Sequence, residues 1–378
     1  MNTTGNRRKK RVLRLICLAI TITILLAGLW PFNFRPKNEV TWLNGQNGIH
    51  FDRMGIAYSK ESVFGPQGAI RPGKPVSIEL VVRPAREPNH SLTRILTFYT
   101  EGNRQFFTLA QWKSSLILRV SPEGNDLPLG SPEMGAKNAF MKNIPKFLTV
   151  ISQNGNTAIY VNGQLMKLTR NFPLLPANFS SSGKFVLGNS PTGHSPWTGD
   201  LQFLAYYDRE LPSDEVSQHF RDWLAQRTPT WAAGKTPTLL YVFDERAGTI
   251  ARNHTSHHND ISIPATFHIL RKNVLRPSLP GDYFSRYFVK DVAVNVLGFI
   301  PFGFYFALWL RKEDGSARKF RVLVVVALGG ILSLTIELLQ VYLPTRTSSC
   351  TDVLCNIAGT ILGAYMINRA APPSFSGT

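Results

Sequence analysis

The stretch from Asp291 to Gly363 constrains this chain most. It reads DVAVNVLGFIPFGFYFALWL, then a short basic loop, then VLVVVALGGILSLTIELLQVYLPTRTSSCTDVLCNIAGTILGAY. Three runs in it, Val292–Leu310, Val322–Leu343 and about Val353–Ile367, are apolar enough to cross a bilayer, the last of them short. These runs carry or flank Asp291, Asn295, Glu337, Gln340, Asp352 and Asn356. Ionisable groups in a membrane span are costly, so they mark either a functional site or a buried polar network.

The spacing places these groups. Asp291 and Asn295 lie one turn apart on one helix face, and Glu337 and Gln340 share another, with Ser333 one turn below. Asp352 and Asn356 open the last span, followed on the same side by Gly359 and Gly363, which would let helices approach closely. Pro301, with Gly298 and Gly303, is expected to break the regularity of its span and free backbone carbonyls. The loop RKEDGSARKFR at 311–321 is rich in Arg and Lys, whereas 344–352 has only Arg346. The positive-inside rule puts the first in the cytoplasm and the second outside. Every unusual polar group then falls at the outer leaflet. Arg271, Lys272, Arg276, Arg286 and Lys290 sit on the outer side too, but a long translocated domain crosses largely regardless of charge.

At the other end, Arg7–Arg11 precede the apolar run Leu15–Trp30. That run is long for a signal core, no small-x-small cleavage site follows, and WPFNF reads as an interface belt. The expectation is an uncleaved anchor at 12–30 with its basic end, 1–11, in the cytoplasm and Arg14 snorkelling to that face. The chain has 42 Lys and Arg against 24 Asp and Glu, a formal charge of +18. Membrane topology accounts for part of that excess. No nucleic-acid motif accompanies it, so nucleic acid is not an expected partner and anionic lipid or envelope polymer is the better one. Three cysteines offer no zinc spacing, and Cys350 and Cys355 stand badly for a disulfide at a helix start.

Between the anchors, Glu39 to about Pro280 has no long apolar run. Short alternating segments are bounded by Gly, Pro, Asn and Ser: VSIELVVRP, RILTFYT, QFFTLAQW, SLILRVSP and WTGDLQFLAYYDREL. That is the strand-and-turn pattern of an all-β sandwich. Asn154-Gly155 and Asn162-Gly163 are hairpin signals. Residues 213–226 read as one helix, with Ser213 as N-cap and acidic residues in its first turn.

The run TVISQNGNTAIYVNGQL, then VLGNS and WTGDLQFLAYYDRELPSDEV, resembles the laminin G-like, concanavalin A-like jelly roll over roughly residues 40–230. Such domains often bind carbohydrate, and many serve only adhesion. LLYVFDERAGTIARNHTSHHNDISIP, 239–264, resembles the segment that usually opens this fold. Coming last here, it is expected to supply a late-added strand. The pattern D-x3-N-x2-G-x2-P-x-G, E-x2-Q, P-x-R-x5-D-x3-N-x2-G-x3-G resembles the VanZ-like family. That family is named for a link to low-level teicoplanin resistance. The resemblance implies an envelope-associated bacterial membrane protein, and it implies no defined reaction.

The expected architecture is α+β and multidomain, an all-β jelly-roll sandwich inserted into a four-helix transmembrane bundle. The sandwich spans 39–280, and the VanZ-like part spans 284–369 with helices at about 290–310, 322–343 and 353–368, followed by a cytoplasmic tail at 370–378. The expected location is the inner membrane, with both termini cytoplasmic and the sandwich outside. Asp291, Asn295, Glu337, Gln340, Arg346, Asp352 and Asn356 are the candidate binding residues. Three readings stay open for them. One is an internal network pairing Arg346 with Asp352 or Glu337. Another is a site for an envelope glycan or lipid-linked sugar headgroup, with membrane lipid as neighbour; carboxylates and amides suit sugar hydroxyls, and Arg346 suits a phosphate. The third is an enzyme using Glu337 or Asp352 as general base, ranked lower because no histidine, nucleophile elbow or metal set supports it.

In the sandwich no cofactor is expected beyond a structural calcium at Asp200 and Asp208, for which the alternative is turn chemistry at strand ends. His254, His257 and His258, near Asp260, could hold a metal or simply form a polar loop. Trp112, Trp197 and Tyr99 could stack on sugar rings or lie in the core.

Overall fold

The computed structural model describes residues 3–65, 68–88, 91–100, 104–121, 130–175, 182–226, 236–257, 259–272, 274–276, 286–311 and 318–369. It resolves into two compact units. One joins the residues up to Phe34 with those from Lys272 onward, and the other is Arg35–Arg271.

The first unit is helical. Helix α1 runs Thr3–Leu29. In the second unit the strands are β1 (Val40–Trp42), β2 (Ile49–Phe51), β3 (Ala57–Ser59), β4 (Val76–Pro84), β5 (Thr93–Thr100), β6 (Gln105–Trp112), β7 (Ser115–Val120), β8 (Glu133–Ala136) and β9 (Lys146–Gln153). They continue as β10 (Asn156–Val161), β11 (Gln164–Thr169), β12 (Gly183–Leu187) and β13 (Gly199–Tyr207), followed by α2 (Ser213–Gln226), β14 (Leu239–Tyr241), β15 (Ile250–Ala251) and β16 (Ile261–Ser262). The chain then returns to the helical unit with α3 (Arg286–Trp309), α4 (Arg318–Gln340) and α5 (Cys350–Arg369).

Two antiparallel sheets form the sandwich. One has the order β1-β2-β13-β4-β9-β10-β11, with β14 also on β13. The other has the order β15-β16-β3-β12-β5-β6-β7-β8. Residues 239–264 therefore pair into both sheets, β14 on β13 and β16 on β3. A single added strand would have served one sheet only. Asn154 and Asn162 take the left-handed conformation that their hairpins need.

Between the sheets lies an aromatic core that includes Phe51, Phe64, Phe98, Phe185, Trp197, Tyr206 and Tyr241. Burial pushes the phenols of Tyr206 and Tyr241 up. Strand β4 is buried at eight of nine positions, where one solvated face would give alternation. The reason is α2, which covers the outer face of that sheet through Val216 and Trp223 packed against Val81, Phe147, Phe203 and Tyr207. Gly188 sits at φ 75°, and a Cβ there would run into the Phe51 ring. Gly188→Ala is expected to lower sandwich stability by about 3 kcal/mol, because strain and overpacking add. The denaturant midpoint of the purified protein, followed by near-UV dichroism, reads this.

Four helices, spanning Arg7–Leu29, Phe288–Trp309, Lys319–Gln340 and Cys350–Ile367, are long and apolar enough to cross a membrane. Several boundaries differ from the sequence reading. Helix α1 begins at Thr3, so the basic cluster is part of the helix expected to start at 12. Helix α4 stops at Gln340, and Val341–Leu343 form turns before Pro344. Leu275 and Arg276 join the helical unit, not the sandwich, because their N–H groups donate to Ser348. Pro301 does not interrupt α3, which runs unbroken through it. The proline removes only the N–H that would have reached the Leu297 carbonyl.

Candidate functional site

Four chain ends build the site: the C-terminal end of α1, the N-terminal half of α3, the C-terminal end of α4 and the N-terminal end of α5. The up-and-down connectivity brings them to the same end of the helical unit. There they enclose a cavity of about 440 Å³. Asp291, Asn295, Glu337, Gln340, Arg346, Asp352 and Asn356 all line it, beside Ile24, Ala27, Gly28, Gly298 and Phe299. Residues far apart in sequence thus meet around one space.

Each polar group has a defined tie. Glu337, 2% exposed, accepts a hydrogen bond from the Ser349 N–H at 2.7 Å. This places a carboxylate at the N-terminal end of α5, where the helix dipole favours it. Ser349 Oγ accepts from Thr351 N at 3.1 Å and caps that helix. Asp352 bonds Asn295 and Ser349 and lies against Asp291. Asn356, 4% exposed, donates to Ser333 Oγ at 2.9 Å. Its Oδ1 is buried without a partner among the described residues.

Arg346 does not pair with either carboxylate. Its Nε donates to the Trp30 carbonyl at 3.1 Å and its Nη2 to Ala27 at 3.4 Å. Gln340 Nε2 donates to the Gly28 carbonyl at 2.8 Å. Both side chains satisfy carbonyls left over at the end of α1, where a cation also suits the dipole. Of the three readings, the internal network is the one that paired Arg346 with Asp352 or Glu337, and that pairing is not the one formed. The carboxylates face the cavity without a cationic partner from Arg346.

Close packing of α3 on α5 sets the width of the cavity. A Cβ at Gly359 would strike the Val296 carbonyl oxygen, and one at Gly363 the Ile300 carbonyl oxygen. Gly303 meets the Thr360 carbonyl in the same way. Gly298 has nothing within 4 Å, because it faces the cavity. Small residues that let helix backbones touch are the membrane device for such contacts. Cys17, Cys350 and Cys355 are all free.

The sandwich candidates do not converge. Asp200 binds His50 Nδ1 at 2.6 Å through Oδ1 and Arg83 Nε at 2.6 Å through Oδ2. Asp208 lies eight residues further along, about 25 Å away in an extended strand, and exchanges hydrogen bonds with Thr238. The structure does not bring the two carboxylates together, and both oxygens of Asp200 already have hydrogen-bond partners. His254 Nε2 lies 3.1 Å from Asp244 Oδ1, and with Glu245 these groups come within 4.8 Å of one another, a spacing that could hold a metal. His257 takes no part in that group, and His258 lies outside the described residues. Trp197 and Tyr99 are core residues, while Trp112 is 38% exposed at the end of β6.

Four helices long and apolar enough to cross a membrane, joined to a two-sheet β-sandwich, define the class. The family models agree. The VanZ/LLP1 model matches residues 236–370, and the concanavalin A-like lectin/glucanases superfamily model matches residues 62–217. The chain thus joins a VanZ-like membrane part to a concanavalin A-like domain that lies between α1 and α3 in sequence. The VanZ match begins inside the sandwich unit and includes β14–β16.

No curated protein matches the chain. Similar solved structures include a Bacteroides ovatus protein described as carbohydrate binding, at 14% identity and TM-score 0.40, covering 59% of this chain and 61% of that one. The chain thus spans less than two thirds of that protein. A Limulus polyphemus SAP-like pentraxin matches at 12% identity and TM-score 0.36, covering 61% and 94%. The CBM40 of Ruminococcus gnavus IT-sialidase, bound to α2,3 sialyllactose, matches at 14% identity and TM-score 0.35, covering 46% and 95%.

Proposed function

We propose that this protein binds an envelope glycan or a lipid-linked sugar headgroup at the polar cavity of its helical unit, with the sandwich holding glycan on the same side of the membrane. One observation carries the reading. Carboxylates and amides from three helices line a single cavity, and the buried side-chain amide oxygen of Asn356, Oδ1, has no hydrogen-bond partner among the described residues. Buried polar atoms usually have a partner, and a bound ligand would supply one here. Acceptors and amides in this density suit a ligand rich in hydroxyl groups.

The location follows from charge. Arg7–Arg11 and Arg14 lie at one end of the helical unit, with Arg318, Lys319 and Arg321. The cavity lies at the other end. By the positive-inside rule this charge asymmetry supports a cavity and a sandwich outside the cytoplasm, and the match to the VanZ/LLP1 model supports a bacterial inner membrane. A cysteine introduced at the exposed Thr347, with the three native cysteines replaced by serine, is expected to react with an impermeant maleimide on intact spheroplasts. Protection there, with labelling only after lysis, reverses the topology.

The binding test uses the full protein in nanodiscs and a polyprenyl-diphosphate disaccharide. Asn295→Ala is expected to weaken binding about tenfold at an unchanged protein level, from the loss of hydrogen bonds to a bound polar ligand. Unchanged affinity would reject the cavity as the site. Turnover of the same ligand, lost in Glu337→Gln and Asp352→Asn, would make the protein an enzyme instead.

A further inference from the structure

The sandwich has a second cavity, unrelated to the membrane cluster. It measures about 490 Å³ and lies on the outer face of the first sheet, beside the C-terminal end of α2. Arg83, Gln202, Trp223 and Arg246 line it, with Gln46 and Asn47 from the turn between β1 and β2. No Asp or Glu is among its lining residues.

Three features show that it is built. On β4, Leu80 and Val82 point into the core and Val81 outward, so Arg83 also stands on the outer face. There the buried Asp200 holds its guanidinium, and His50 holds Asp200 in turn. The residue is thereby fixed in place, which reduces the ordering cost of binding. Gln202 is the bulged residue of β13, where the register against β4 shifts between Leu201 and Phe203. Bulges re-aim side chains and recur beside binding sites. Arg246 is exposed, takes φ 60° in a loop where Phe243 takes φ 48°, and has no hydrogen-bond or ion-pair partner among the described residues. Non-glycine residues held in that region carry a local cost, and such residues cluster at ligand sites.

Arg246, with no partner among the described residues, supplies the charge that an anion needs, and Arg83, already paired with Asp200, adds a guanidinium donor held in place. Four lining amides, those of Gln46, Asn47, Gln202 and Gln226, recognise hydroxyls. We infer that this cavity binds an anionic saccharide, one that carries carboxylate or phosphate groups. The inference rests on the reading that the sandwich holds glycan, and it names the site and the charge of that glycan.

The test uses the full chain in phosphatidylcholine nanodiscs and calorimetry with three probes: hexagalacturonate, a glycerol-phosphate hexamer and maltohexaose. One of the two anionic probes is expected to bind, more weakly as salt rises, and which one distinguishes carboxylate from phosphate. Arg246→Gln is expected to weaken it at least tenfold, and Gln202→Ala about threefold, with the circular dichroism unchanged. Binding of the anionic probe that Arg246→Gln leaves intact would overturn the site. Binding of maltohexaose alone would overturn the anionic character while leaving glycan binding standing. Binding of none of the three would overturn the glycan reading itself.

Discussion

Gly359→Leu is expected to unfold the helical unit. The α3–α5 contact is backbone on backbone at this point, and the new Cβ alone would overlap the Val296 carbonyl oxygen. No side-chain rotamer relieves a clash with backbone, so the helices must separate. Overpacking of this kind costs about 3 kcal/mol, and separation also exposes the buried Asn356 and Thr360. Gly298→Ala is the control, since its Cβ meets nothing within 4 Å and points to the cavity. The readout is the melting temperature of detergent-solubilised protein. Equal temperatures for Gly359→Leu and Gly298→Ala would remove the close helix contact from the account of the site.

Loss of Glu79 is expected to do comparable damage in the sandwich. This carboxylate is 0% exposed, in the middle of β4. It lies 2.9 Å from His219 Nδ1, accepts from Tyr207 Oη at 2.8 Å, and accepts from Thr149 Oγ1 at 3.2 Å. The group pins α2 to the sheet. Glu79→Ala strands three buried polar partners, and breaking one side of a buried pair costs about 3–5 kcal/mol. Removing both partners with apolar groups, Glu79→Leu with His219→Leu, is expected to cost less than the two single changes added together. Denaturant titration of the purified variants gives all three values. Strict additivity would show that the two residues do not act as a pair.

Much of this was readable along the chain. The 3.6-residue spacing put Asp291 with Asn295 and Asp352 with Asn356 on common faces, and the cost of such groups in lipid singled them out. Helix α2 occupies residues 213–226, where Ser213 and its acidic first turn pointed. The Asn-Gly turns lie where the hairpins bend. Glu79 was not singled out, although a carboxylate inside the apolar run VSIELVV is a sign of a buried partner. The partner itself, His219, is 140 residues away, so no local pattern could name it. Arg83, His50 and Gln202 gave no signal, because a bulge and an anchoring carboxylate become visible only once strands are in register.

Local physics therefore specified which segments are helices, which are strands and which polar side chains are out of place. These properties depend on hydrophobic period, turn chemistry and the cost of charge in hydrocarbon, all carried by near neighbours. Long-range packing alone decided that Arg346 caps α1 instead of pairing with a carboxylate, that residues 239–264 serve both sheets, and that a second cavity flanks α2. Those outcomes depend on which backbone ends come together, and chain order does not encode that distance.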